Sequence, residues 1–418
     1  MQPVQNLFSF IPGGDTISIS ILYFLGSAFL ALVISPVLIS VLYRLNIIRT
    51  SKGDQVSKLF DEGHGKIGTP IMGGLIIITA TLIITFLFNW KREYTYVPIG
   101  AMMLSASIGG IDDLLNIFGG IRKQPIPVAL HIKLAFVHKS LIRRIYYFIT
   151  IPWAAFKRLF LFIGSKPKSG LQVHEKILLQ AFIGVTVGMW VYFKNGVSTI
   201  WVPYIFNIDW VTAFFNFIPG FRVIPEINSV DIGWMIVPFV ALTIMTISNA
   251  VNISDGMDGL SGGLLMIAFT AYGIIAYGIS EYGKLIGSEA AYGNRSIVYL
   301  CATISGSLIA YLYFNVKPAR VQMGDVGSLA IGAVLSIIAI MLRKEITLVF
   351  IAGVFLMNGI ISRIWQRLWY KFTGKRFFKM IPLHYHFEMQ GWPEEKVVTR
   401  FWLVSIVLTA LGIWIAGL

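Results

Sequence analysis

Cysteine is almost absent. Cys301 stands alone inside an apolar run, which excludes a disulfide framework and a cysteine-based zinc site. Charge is scarce too: 13% of the 418 residues are charged, roughly half the share of a soluble globular chain, which argues against a water-soluble enzyme. Acids are rarest of all, with 20 Asp and Glu against 34 Lys and Arg. Residues 1–17 hold no Lys or Arg, and the apolar run that follows is too long for a signal-peptide core, so no cleaved signal is expected. What is present is apolar: 56% hydrophobic and 14% aromatic residues, with a mean hydropathy of +0.74. That composition excludes disorder and describes an integral membrane protein.

Crossing the hydrocarbon takes roughly 20 apolar residues in a helix. Ten runs qualify, at about 18–43, 70–89, 97–115, 175–193, 231–250, 259–279, 296–314, 325–342, 346–369 and 399–417. An all-α bundle of about ten transmembrane helices is therefore expected, as a single domain over 1–418. Basic residues crowd the loops after the first, third and ninth runs, and the intervening loops carry only pairs of them. The positive-inside rule then makes the odd-numbered loops cytoplasmic and turns both termini outward, to the periplasmic side. This bias accounts for most of the net charge of +14, so no nucleic-acid partner is expected. One loop is unusual. Residues 120–165 form a long basic, aromatic-rich insert with no acid between Asp113 and Glu175. It reads as an amphipathic helix or helix pair lying on the inner leaflet against anionic membrane lipid, with Arg143, Arg144, Lys157 and Arg158 preventing an eleventh span.

Because acids are scarce, those bordering the spans are informative. Asp112 and Asp113 end the third run in GGIDDLLN, Asp255 and Asp258 lie in NAVNISDGMDGLSGG, and Asp325 opens the eighth in QMGDVGSL. His384 and His386 follow the ninth in PLHYHFEMQGW, and Lys66 precedes the second in GKIGTPIMGG. By the topology above, all face one membrane surface, as does Asn252 with its N-x-S match. Each has a plain structural reading as a cap, a packing glycine neighbour or an interface residue. Their convergence is harder to explain that way, because gathered carboxylates need protons or a cation. Hard oxygen donors without thiolates favour Mg²⁺, and Mg²⁺ with nearby Lys and His suits phosphate substrates. A Mg²⁺-dependent phosphoryl-transfer site in a cytoplasmic cleft is expected. The competing class, an ion-coupled transporter, would place acids near span centres and often repeat a half, and neither is visible.

These same strings, with KIGTPIMGG, FNVKPARVQMGDVGSLAIGAVL and KMIPLHYHFEMQGWPEEKVVTRFW, resemble the polyprenyl-phosphate N-acetylhexosamine-1-phosphate transferase superfamily, and within it the phospho-N-acetylmuramoyl-pentapeptide transferase family. The resemblance implies a homodimeric, ten-helix enzyme of the bacterial inner membrane. Such an enzyme moves phospho-MurNAc-pentapeptide from UDP-MurNAc-pentapeptide to undecaprenyl phosphate, giving lipid I and UMP; transfer of GlcNAc-1-phosphate to the same lipid is the alternative. It further implies Asp325 as the Mg²⁺ ligand and Asp112 and Asp113 as the aspartate pair. Asp112 is the candidate base, with Asp113 holding the geometry or a second cation, and a covalent intermediate on one aspartate is the rival route. Lys66, Asn252, Asp255, Asp258, Asn315, Gln322, His384, His386, Lys168 and Lys176 are implied as substrate-binding. The sequence departs from the family at three of its motif positions. Tyr385 replaces the middle member of a histidine triplet, Ile71 stands where threonine is usual, and Gln322 stands where an aromatic commonly stacks on uracil.

Overall fold

The computed structural model describes residues 16–49, 66–90, 92–119, 128–162, 170–203, 221–224, 228–285 and 290–417. Lys168 lies outside these residues. The helices are α1 Thr16–Arg44, α2 Gly74–Phe88, α3 Arg92–Phe118, α4 Val128–Val137, α5 Leu141–Phe162, α6 Val173–Asn195, α7 Ile236–Ser254, α8 Leu260–Leu285, α9 Ala290–Asn315 and α10 Gly324–Met341. They continue with α11 Glu345–Ile351 and α12 Gly353–Thr373, bent by 71° to each other, and then α13 Leu383–Glu388 and α14 Glu394–Gly417. The protein is an all-α integral membrane protein.

All ten apolar runs are helical. Among the described residues eight helices are long and apolar enough to cross a membrane, and the bent pair α11–α12 makes a ninth. The second run yields α2, which has only 15 residues and rises about 22 Å. The reason is local. Pro70 is drawn into a β-bridge with Ile48, and Gly73 and Gly74 donate to the carbonyls of Gln322 and Met323 at 2.7 and 3.0 Å. Residues 70–73 are thus held by these pairings, and the helix starts only at Gly74. In the ninth run a π-turn, Met357–Ile361, follows the bend, and it sets Asn358 against α13.

The bundle is built around α10. Every residue from Val326 to Ile340 is buried, as a helix apolar on all faces demands. Its neighbours approach at glycine. A Cβ on Gly109 of α3 would lie 2.2 Å from the Asp325 carbonyl oxygen, and one on Gly74 would lie 2.1 Å from Gly327 Cα. These contacts hold the N-terminal end of α10 between α2 and α3. Between α6 and α7 lies a small antiparallel sheet of order β1–β3–β2, with β1 Thr199–Trp201, β2 Arg222–Ile224 and β3 Ser229–Asp231. It was read from sequence as plain loop.

Within the insert, α4 and α5 form a helix hairpin, and neither has the length and composition of a span. The Tyr147 ring packs against His131 and His138 at 5.5 and 6.1 Å, and Ala135 is buried at the seam.

The close packing at α10 gives a paired expectation. Gly109→Val should destabilise the solubilised protein by about 1–3 kcal/mol through overpacking. Gly278→Ala, in an exposed stretch of α8 with nothing within 4 Å of the new methyl, should stabilise it by about 0.5–1 kcal/mol through helix propensity. Thermal unfolding in detergent measures both.

Candidate active site

The site grows from the first turn of α10. A helix start leaves its backbone N–H groups without partners, and a buried one must find them elsewhere. Here two carboxylates supply them. Asp113 of α3 accepts from the N–H groups of Asp325 and Val326 at 3.1 and 3.0 Å, using both oxygens. Asp255, just beyond α7, accepts from Gly324 N–H at 3.2 Å and from the Ser261 hydroxyl at 2.6 Å. Gly324 has φ +72°, and a Cβ there would lie 2.7 Å from Asp113 and 2.9 Å from Ile71. Only glycine meets both demands.

With its start fixed this way, α10 presents the Asp325 side chain to a cluster on α3, α6 and α7. Lys176 of α6 bridges two carboxylates, reaching Asp112 at 3.1 Å and bonding Asp325 as well. Asn252 donates to Asp325 at 2.6 Å and to Ser328 at 2.8 Å. The second oxygen of Asp112 accepts from Leu171 N–H at 2.7 Å and Asn116 at 3.3 Å. Of the carboxylates at this end of α10, Asp112 and Asp113 are buried, whereas the Asp325 side chain keeps 21% of its surface open.

A second cluster lies across the turn 255–259. Lys66, buried to 3% exposure, donates to Gly256 O at 3.0 Å and to Glu394 at 2.7 Å, with Asp258 at 3.4 Å. Glu394 also accepts from Asp258 N–H at 2.8 Å and pairs with Lys317 at 3.2 Å. Asp258 in turn holds Ala319 N–H at 3.1 Å, and Asn315 takes Gly259 N–H at 3.0 Å while donating to Val321 O at 2.9 Å. These residues clamp the 255–259 turn to the 316–323 segment. Glu394 was missed from sequence, although it stands in the quoted string GWPEE.

His384 is fully buried behind Gly256. Its Nδ1 faces Asn358 Oδ1 at 3.0 Å, and its Nε2 has no hydrogen-bond partner among the described residues. Desolvation, reinforced by the Lys66 charge and opposed by Glu394, pushes its pKa down to about 3. The ring is neutral near pH 7 and braces the turn. His386 lies away from both clusters, between Lys379 N–H at 3.1 Å and Gln390 at 3.0 Å. Gln322 accepts from Arg49, a residue that sequence reading had counted only as loop charge.

Most of the residues singled out from sequence thus meet in two adjoining clusters. Asp112, Asn252, Asp325 and Lys176 form one, with Asp113 and Asp255 behind it. Lys66, Asp258 and Asn315 form the other. Among the described residues no group of three or more His, Cys, Asp or Glu side chains is arranged around a common point as a metal cage. The donors do fit a hard cation bound by few protein ligands. Asp112 and Asp325 both turn an oxygen to one point, which Lys176 holds, and Mg²⁺ commonly takes one or two carboxylates and completes its shell with water and phosphate.

The buried caps should respond to pH. Desolvation, with some push from Asp325, raises Asp255 to about 7, against the Ser261 and Gly324 hydrogen bonds and the Arg49 charge. A carboxyl with a raised folded pKa adds stability at low pH and loses it as pH rises through about 7. Asp255→Asn should therefore flatten the fall in melting temperature between pH 5 and pH 8; an unchanged slope would assign that fall to other groups.

Sequence comparison places the chain among known proteins. The profile of glycosyl transferase family 4 matches residues 94–343, a stretch that contains the Asp112–Lys176–Asp325 cluster and excludes Lys66, His384 and Glu394. A phospho-N-acetylmuramoyl-pentapeptide-transferase of Leptospira biflexa serovar Patoc is 31% identical over 391 residues, covering 93% of this chain and 90% of that relative. The chain belongs to the phospho-N-acetylmuramoyl-pentapeptide transferase family, within glycosyl transferase family 4.

Proposed function

We propose that this protein, in the bacterial inner membrane, transfers phospho-MurNAc-pentapeptide from its UDP carrier to undecaprenyl phosphate, releasing UMP and forming lipid I. The observation that carries this reading is the partly exposed Asp325, placed with Asp112 on one lysine at the start of a buried helix. In the reaction an oxygen of the lipid phosphate attacks the sugar-bearing phosphorus. The bond from that phosphorus to the UMP oxygen breaks, and UMP leaves with the electron pair.

Little covalent chemistry falls to the protein; positioning and charge neutralisation dominate. Asp112 takes the last proton from the lipid phosphate, and Lys176 lies beside both reacting anions. Asp113 has both oxygens committed to backbone N–H groups, so its role is to fix α10 and through it Asp325. Lys66, held by Glu394, Asp258 and Gly256, shapes the nucleotide side by fastening the 255–259 turn. The Asp325 side chain, 21% open and joined to Asp112 through Lys176, supports Mg²⁺ held by Asp325, where it would supply Lewis-acid chemistry toward the pyrophosphate. A homodimer is carried over from the resemblance as the working unit.

Purified protein given undecaprenyl phosphate and Mg²⁺ should release UMP from UDP-MurNAc-pentapeptide and not from UDP-GlcNAc; the reverse preference would assign the chain to GlcNAc-1-phosphate transfer. Chelation should abolish the release, and added Mg²⁺ should restore it. Asp325→Asn should lower turnover by about 10²–10³-fold with little change in melting temperature, and near-normal turnover would refute the assignment of Asp325. Direct attack also requires that the donor alone leave no covalent adduct, which mass spectrometry of the protein incubated without lipid decides.

A further inference from the structure

The α4–α5 hairpin has no part in the chemistry above, yet its roots end on the catalytic carboxylate. The chain leaves α3 just after Asn116 and returns at Gly170–Leu171. Both ends converge on Asp112: Asn116 and Leu171 N–H bond the same oxygen, and a Cβ on Gly170 would lie 2.4 Å from it. Between these roots the hairpin carries two unlike surfaces. Leu141, Ile142, Ile145, Phe148 and Ile149 form one stripe of α5 and are 52–79% exposed, as helical spacing places them. Lys133, Lys139 and Arg143 are exposed on the hairpin, and Arg144 closes it through a 2.5 Å bond to His138 O. No acid occurs in the sequence between Asp113 and Glu175 to balance them.

An apolar stripe with unbalanced basic flanks fits one occupant, a membrane surface bearing anionic phospholipid headgroups. We propose that the hairpin docks on anionic phospholipid and that docking sets the position of Asp112, so that turnover depends on the negative charge of the leaflet. The activity part of this inference rests on the transferase reading; the docking part does not. Each basic residue at such a surface is worth about fivefold in partitioning, an effect that salt weakens.

The test uses the full chain in vesicles of phosphatidylcholine, alone or mixed with phosphatidylglycerol. Phe148→Cys carries an environment-sensitive dye, and the native Cys301 is buried and does not compete for it. Dye emission should shift to the blue in the mixed vesicles and revert at high salt. In a K133Q/K139Q/R143Q background, which spares the Arg144–His138 bond, the shift should be lost. Without the dye, UMP release by the native sequence should rise several-fold from neutral to anionic vesicles, whereas the triple variant should show no rise and match the native sequence in detergent. Equal emission in both lipids would overturn the docking. A blue shift with lipid-independent turnover would overturn the coupling to Asp112. Absence of UMP release even in detergent would instead count against the transferase reading, with the emission result still standing.

Discussion

The start of α10 is the constraint on which the rest depends. A helix buried on every face cannot leave its first N–H groups to water, and an unpartnered buried donor costs about 1–3 kcal/mol. Asp113 and Asp255 take three of these groups. Because the two acids come from α3 and from the turn after α7, satisfying the backbone also joins three segments distant in sequence. The positive end of the helix dipole favours their charge in turn. Asp325 inherits its direction from this junction, and the cleft chemistry follows from where it points.

The same residue type therefore serves two purposes a few residues apart. Asp112 and Asp113 are adjacent, but successive helix positions point about 100° apart. One faces Lys176 and the insert's return, and the other faces the backbone of α10. The first keeps an interaction that a substrate or cation can displace, because Lys176 is a mobile side chain shared with Asp325. The second has spent its oxygens on main-chain donors that cannot move without shifting α10. A carboxylate with both oxygens on backbone groups is a structural fixture, whereas Asp112 has one oxygen on the Leu171 backbone N–H and keeps the other on a lysine amine that it can exchange.

The fold was legible because membrane helices announce themselves by length and apolarity, and all ten runs are helical. The site was legible for a related reason. In a chain so poor in acids, each one beside a span stood out, which is how Asp112, Asp325, Asp255 and Asp258 were found. Backbone partnerships could not be read. Nothing in the sequence says that residues 70–73 pair with the 47–49 and 321–323 segments, so α2 was drawn too long. Three-residue strands carry too little alternation to betray the sheet between α6 and α7. Glu394 escaped for a different reason. It opens α14 in a run of charged residues, GWPEEK, that reads as a solvated helix start, and only tertiary packing against Lys66 buries it.

The three departures from the family pattern come together at the same junction. Ile71 packs against the glycine that opens α10, where a Cβ on Gly324 would lie 2.9 Å from its Cγ2. Gln322 lies two residues before that glycine, with its backbone tied to Pro70 and its side chain to Arg49. Tyr385 directs its hydroxyl to Gly256 O at 3.4 Å, beside the buried His384 ring at 4.2 Å. Each departure thus contacts either the 321–324 approach to α10 or the 255–259 turn, the two backbone pieces that Asp255 links. Ile71 makes apolar contact with the close-packed start of the helix, and the Tyr385 phenol reaches the turn carbonyl. At 322 the amide keeps Arg49 at the rim of the site, beside Asp255. Changes that share one backbone junction are free to compensate one another, and the carboxylate–lysine geometry built on that junction is left intact.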